Sequence, residues 1–216
     1  MIDSIRGGSP RNFTMSPVGQ GGMNMPCSAF LTTRSDENLL LASLDLPENG
    51  SVLDYGCGAG RHLSKLREGR SRLQLYGVEI CDLLRNHCQQ MFGLASTFVE
   101  SLGDLPAKEF DLIMLMGNGL GVLGSEQNAI AQLEVLVGIL GSGGRILIEA
   151  GNPFSTGYSA RDFIISYDGA QDDPFTWGYA DQQWVRKTLE QLGCTATIQP
   201  SQAPLPGSFF AIGTKA

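Results

Sequence analysis

Asp54, Gly56, Gly58 and Gly60 alternate along Val52-Leu-Asp-Tyr-Gly-Cys-Gly-Ala-Gly60, and Arg61-His62-Leu63-Ser64-Lys65-Leu66 follows with a helical pattern. A short apolar run that ends in an acid and turns at once into a helix needs glycine where φ is positive and where a ligand approaches bare backbone. The helix start behind it offers free N–H groups and the positive end of a dipole. That suits a nucleotide-like ligand carrying a carboxylate or a phosphate. The spacing is not the G-x-G-x-x-G of a dinucleotide loop, because the third glycine comes one residue early and Arg61 stands where that pattern wants glycine. No Gly-Lys-Ser or Gly-Lys-Thr follows, so the phosphate loop G-x-x-x-x-G-K-[ST] is absent as well.

Other reactive side chains are sparse. The five cysteines, Cys27, Cys57, Cys81, Cys88 and Cys194, are odd in number and form no C-x-x-C, which supports neither a disulfide framework nor a zinc site. Only His62 and His87 are available as histidine ligands, so no metal site is expected. Cys57 lies inside the glycine loop, where a small residue is what fits. The net charge of −7 argues against nucleic acid, which calls for a basic stripe. No apolar run approaches the roughly 20 residues that span a bilayer, and Met1-Ile-Asp-Ser-Ile-Arg-Gly-Gly8 has no apolar signal core. A cytoplasmic location is the expectation.

The elements that must position these residues follow from periodicity. Residues 1–34, rich in Gly, Ser, Pro, Asn and Met, read as a flexible arm or lid. Ser35-Asp36-Glu37 before Leu39–Leu44 starts a helix, and Pro47-Glu48-Asn49-Gly50 breaks it. Strands at 52–55, 73–78, 96–99, 110–116 and 145–149 then alternate with helices at 61–67, 82–92 and 126–140, which implies βαβ units. A helix over 181–192, with Trp184, Val185, Leu189 and Leu192 on one face, precedes strands at 195–199 and 209–214. The expected fold is α/β: a three-layer αβα sandwich whose seven-stranded, mostly parallel sheet ends in an antiparallel strand. Residues 35–216 make one domain. Residues 151–180 are too long for an ordinary connection and read as an insertion.

The stretch Asp54-x-Gly56-x-Gly58-x-Gly60 resembles motif I of the class I S-adenosylmethionine (SAM) dependent methyltransferases, and the late strand pair matches the layout of that family. The likeness covers residues 50–150 by motif and 180–216 by pattern. It implies SAM as cofactor and S-adenosylhomocysteine as product. The loop Gly56-Cys57-Gly58-Ala59-Gly60 would pack on the methionyl part, with Asp54 orienting the loop and the methionyl ammonium. Glu79, followed by Ile80 at the tip of the second strand, would bind the ribose hydroxyls. Ser101 and Leu102 would hold and pack on adenine, with Glu100 the alternative if the register shifts. Met116 and Asn118, with Leu120 beyond them, would line the methionyl group and face the acceptor.

No Pro-Pro-aromatic motif follows the fourth strand, as an amino-DNA methyltransferase needs. The carboxylate cluster of the metal-dependent catechol enzymes is missing, and the chain is too short for a protein-arginine enzyme. A small-molecule N, O or C acceptor remains. Asn152, Phe154, Tyr158, Arg161, Asp162, Tyr167, Asp168, Trp177 and Tyr179 would form its pocket with Phe13, Met23, Met25 and Phe30. Tyr158, Asp162 and His62 are the candidates for acceptor-side chemistry. The competing readings are a non-catalytic SAM-binding scaffold and an aminopropyltransferase.

Overall fold

A computed structural model describes residues 12–19, 22–106, 108–167 and 170–216. The main sheet contains β3 (Ser51–Tyr55), β4 (Gln74–Val78), β5 (Thr97–Val99), β6 (Phe110–Leu115), β7 (Leu140–Ala150), β11 (Cys194–Pro200) and β12 (Phe209–Lys215). Its order is β11-β12-β7-β6-β3-β4-β5. The pairs among β3 to β7 are parallel, whereas β12 is antiparallel to both β7 and β11. The expected antiparallel last strand is therefore present, inserted beside the fifth strand of this sheet. Strand order reverses between β3 and β6, and α/β sheets bind ligands beyond the strand tips at such a point.

Helices α1 (Ser35–Ser43), α2 (Arg61–Arg67), α3 (Asp82–Phe92), α4 (Glu126–Gly138) and α5 (Gln182–Gln191) flank the sheet. Strands covered on both faces read as continuous apolar runs, and β6 illustrates this: Leu112, Ile113, Met114 and Leu115 are fully buried. Alternate residues serve opposite layers. Ile113 and Leu115 join a core with Leu133, Leu136 and Leu189, while Leu112 and Met114 join one with Leu41, Leu63 and Leu66.

Two boundaries differ from expectation. The α4 helix ends at Gly138, and β7 begins at Leu140 rather than Arg145. Gly141-Ser-Gly-Gly144 is a bulge inside the strand, since the partners jump from Phe110↔Leu140 to Leu112↔Arg145. A glycine run read as a helix stop is also compatible with extra residues looped out of a ladder. At α1, the residue before the helix is Arg34, not Ser35, and the Glu37 carboxylate accepts its N–H at 2.6 Å.

The larger difference is a second sheet. Residues 12–26, read as part of an irregular arm, supply β1 (Asn12–Pro17) and β2 (Met23–Pro26). The 151–180 insertion supplies β8 (Tyr158–Tyr167), β9 (Ala170–Gln171) and β10 (Phe175–Ala180). These pair antiparallel in the order β10-β8-β1-β2, with β9 on β8. Neither segment alternates cleanly enough to declare a strand, and their pairing spans about 150 residues of chain.

Residues directly opposite in an antiparallel pair share a face. The register thus places Phe13, Met15, Met25, Phe163, Ile165, Phe175, Trp177 and Tyr179 on one face with Arg161. Phe163 and Tyr179 on that face are 4% and 6% exposed, whereas Ala160, Asp162 and Thr176 on the other face are exposed; at the far end of β8 and β10 that other face is covered as well, at Tyr158, Gly178 and Ala180. Asp168 lies outside the described residues, as does the Met23 side chain.

Candidate active site

The turn after β3 is built from backbone that only glycine adopts freely. Gly56, Gly58 and Gly60 have φ of +75°, +55° and +77°. At Gly60, the residue before α2, a Cβ would also lie 2.8 Å from Phe92 Cε2. Three bonds tie this loop to neighbouring elements. The Gly56 and Cys57 N–H groups donate to the Val78 carbonyl, and the Gly58 N–H donates to Glu79 Oε2 at 2.9 Å. The other Glu79 oxygen accepts the Cys81 N–H at 2.9 Å. Glu79 thus holds the loop and the start of α3 together at the β4 tip.

Cys57 is buried, and its thiol occupies space left by Gly77, where a Cβ would sit 2.7 Å from the sulfur. A hydrogen bond with Cys88, then burial, then Asp54 and Glu79 push this thiol far above the ordinary range. It is no nucleophile.

Asp54, at the β3 tip, is 1% exposed, and its Oδ2 has no hydrogen-bond partner. His62 Nδ1 lies 3.8 Å away, too far for a hydrogen bond. The other ring nitrogen, Nε2, sits 3.2 Å from Glu37 Oε1, which also receives Arg34 Nη1 at 2.9 Å and Arg61 Nη2 at 3.1 Å. Burial by itself would depress the imidazole. Asp54 and Glu37 outweigh it and hold His62 above its ordinary value, with Arg61 opposing them. His62 is enclosed behind the loop, 5% exposed, and joins α1 to the β3 tip.

Beyond β6, Gly117 (φ +66°) and Asn118 (φ +59°) turn the chain into a 3-10 turn over Gly119–Leu123. Asn118 has the lone positive φ among the described non-glycine residues, a conformation asparagine tolerates. Its Oδ1 is buried without a partner, and its Nδ2 faces the Gly178 carbonyl at 3.5 Å. The Gly117 N–H donates to Glu149 Oε2 at 2.8 Å, and Glu149 Oε1 accepts from Arg34 and from Ser201 Oγ. Glu149 is 1% exposed at the β7 tip.

The remaining sequence-derived residues are distributed as follows. Ile80 is 82% exposed beside Glu79. Ser101 is exposed and donates through Oγ to Asp104 at 2.8 Å, and Leu102 is partly buried against the core. Glu100 faces Arg85 at 3.4 Å. Met116 and Leu120 are core residues, at 7% and 0% exposure. Tyr158 donates to the Gly124 carbonyl at 2.7 Å and packs on Trp184 with ring centroids 4.7 Å apart. Burial and then Glu126 push its hydroxyl up to about 12. Asp162 accepts from Thr176 Oγ1 at 2.7 Å on the face of the second sheet opposite Phe163. The three acceptor-side candidates are therefore scattered: His62 is behind the loop, Tyr158 is a packing residue, and Asp162 faces solvent.

Sequence reasoning missed Arg34, Glu37 and Glu149. The signal for Glu149 was present, since Ile146-Leu-Ile-Glu149 repeats the apolar-run-then-acid form of Val52-Leu-Asp54 and Val78-Glu79. For Arg34 and Glu37 the sequence signals only a helix start, because their partners beyond that start lie 24 or more residues away.

The site has unmet acceptors rather than unmet donors. Asp54 Oδ2 lies at the β3 tip and Asn118 Oδ1 in the turn after the adjacent β6, the first carrying negative charge. A cationic N–H donor is their chemical complement, because a buried acceptor left unpaired is costly. The methionyl ammonium of SAM is such a donor, so the residues present fit that molecule.

A family model described as "Methyltransferase domain" matches residues 28–189. Among solved structures, a SAM-dependent methyltransferase from Bacteroides fragilis in complex with S-adenosyl-L-homocysteine is similar over 100% of this chain and 92% of its own, with TM-score 0.81 and 21% identity. Streptomyces venezuelae DesVI is similar over 84% of this chain and 90% of its own, at 0.61 and 19%. The 1,6-didemethyltoxoflavin-N1-methyltransferase of Burkholderia thailandensis, with bound 1,6-didemethyltoxoflavin and S-adenosylhomocysteine, is similar over 84% and 77%, at 0.63 and 18%. No curated protein matches the sequence.

Proposed function

The chain belongs to the SAM-dependent methyltransferases, and from that premise we propose that it methylates a small-molecule acceptor by in-line displacement at the tips of the parallel strands. When bound, SAM supplies a methyl group already activated by its sulfonium. The protein's part is then orientation, proximity and exclusion of water.

The pair of unpartnered acceptors, Asp54 Oδ2 and Asn118 Oδ1, is the observation that carries this reading. Asp54 would receive the methionyl ammonium, and Asn118, in the turn after the neighbouring strand, would hold the same end. Glu79 accepts from the ribose hydroxyls while the Gly58 N–H fixes its orientation. The exposed Ile80 side chain and Leu102 would flank adenine, and Ser101 would meet its polar edge.

No histidine or free carboxylate among the described residues stands on the Phe163 face of the second sheet, so the acceptor donates its lone pair without a protein base on that side. An amine acceptor needs none. A small acceptor is also supported by similar structures, named for a didemethyltoxoflavin and for an amino pentose. Labelled SAM offered with panels of amines, phenols and carboxylates tests the reading. Label transfer to one panel is the expected result, and transfer to none would overturn it.

A further inference from the structure

Arg161 is the one charged side chain on the Phe163 face of the second sheet, among its described residues. Its register partner is Trp177, and Phe163 is its neighbour two positions along β8. The guanidinium lies 3.8 Å from the Phe154 ring centroid, so the ring stacks on one side of the plane and orients it. No described carboxylate forms an ion pair with it, although this chain carries 22 acidic residues. Asp162 is adjacent in sequence but on the opposite face, bonded to Thr176. The arginine fork is thus positioned by aromatic stacking, with its edge donors uncommitted.

The surroundings are apolar. Phe163 and Phe175 lie 6.4 Å apart, Phe175 and Trp177 meet edge to face at 6.0 Å, and Met15 and Ile165 extend the surface. Trp177 is held in place by Gly121, where a Cβ would fall 1.9 Å from the indole. Gly121 follows Asn118 by three residues, so the face adjoins the segment that leads from the cofactor end.

We propose that the methyl acceptor is a planar aromatic molecule bearing a carboxylate, its ring against the partly exposed Phe175 and Trp177 and its carboxylate on the Arg161 fork. A guanidinium matches a carboxylate through two parallel N–H···O bonds. The ring excludes water from that pair, which strengthens it. The overall charge of −7 does not oppose this, because exposed charges beyond about 8 Å are screened at physiological salt. The acceptor class rests on the methyltransferase reading, and the experiment separates the two.

Calorimetry on the full chain saturated with S-adenosylhomocysteine, titrated with benzoate and then with benzamide, isolates the charge at constant ring shape. Benzoate is expected to bind at least ten-fold more tightly. Arg161→Gln should erase the difference, and Arg161→Lys should restore only part of it. S-Adenosylhomocysteine affinity should be the same in all three proteins, which also verifies their folding. Equal binding of the two probes, a preference that survives Arg161→Gln, or no binding of either probe to the loaded protein would overturn the acceptor class alone. Failure of S-adenosylhomocysteine to bind would overturn the methyltransferase reading, and the acceptor class with it.

Discussion

The Gly58 N–H donates to Glu79 Oε2 at 2.9 Å, so the carboxylate at the β4 tip is also a strut for the glycine loop after β3. One side chain thus serves both the loop and the acid that the proposed site assigns to the methionyl group and the ribose. Its two tasks are separable by substitution.

Glu79→Ala removes the strut and the ribose acceptor together. Hydrogen bonds to charged groups contribute about 1.5–3 kcal/mol, so S-adenosylhomocysteine affinity should fall roughly 10- to 100-fold. Glu79→Gln keeps an oxygen for the Gly58 N–H and should lose less. Calorimetry on both variants measures the order, and an Ala variant that binds as well as the parent would remove Glu79 from the site.

Asp54→Asn keeps the shape of the β3 tip and removes its charge. Binding of S-adenosylhomocysteine should weaken about ten-fold, in line with a lost charge-assisted bond. Binding of methylthioadenosine, which has no ammonium, should not change. An equal loss for both ligands would show a general distortion of the loop instead.

Gly121 and Trp177 make a steric prediction. A Cβ on residue 121 would fall 1.9 Å from the indole, inside any contact distance. Gly121→Ala should therefore destabilise the fold by roughly 1–3 kcal/mol, the usual cost of overpacking. Combining it with Trp177→Leu should recover part of that loss, as residues in contact are not additive. Urea denaturation of the single and double variants gives the comparison.

The buried His62–Glu37 pair makes stability depend on pH in two directions. His62 is held above its ordinary 6.5 in the folded state. Its contribution is complete below that value and is lost as pH rises through the higher folded one. Glu37 is held below its ordinary 4.5: burial would raise it, but His62, the Arg34 N–H and Arg61 prevail. Its contribution is complete above 4.5 and is lost as pH falls through the folded value. Stability from this pair is thus greatest between about 4.5 and 6.5. Urea midpoints across pH should show both declines, and His62→Gln should remove the alkaline one.

Local pattern was enough for the central architecture. Alternating apolar runs and amphipathic helices identify β3 through β7 and their connections, because strands buried on both faces must be continuously apolar. The glycines at 56, 58 and 60 were legible for a similarly local reason, since positive φ leaves little choice of residue. Asp54 and Glu79 were legible as acids at the ends of such runs. What the tertiary structure decided is everything that depends on pairing across long stretches of chain. It joined β1 to β8, about 150 residues apart, into the second sheet. It brought Arg34 to Glu149 across 115 residues. It put Asp162 and Arg161 on opposite faces of that sheet, a distinction set by which register β8 adopts, since a shift of one residue exchanges the two faces. The proposed donor site is therefore written in short-range spacing. The proposed acceptor surface forms only once two weakly patterned segments have found each other, because the register of β1 on β8 joins residues about 150 apart.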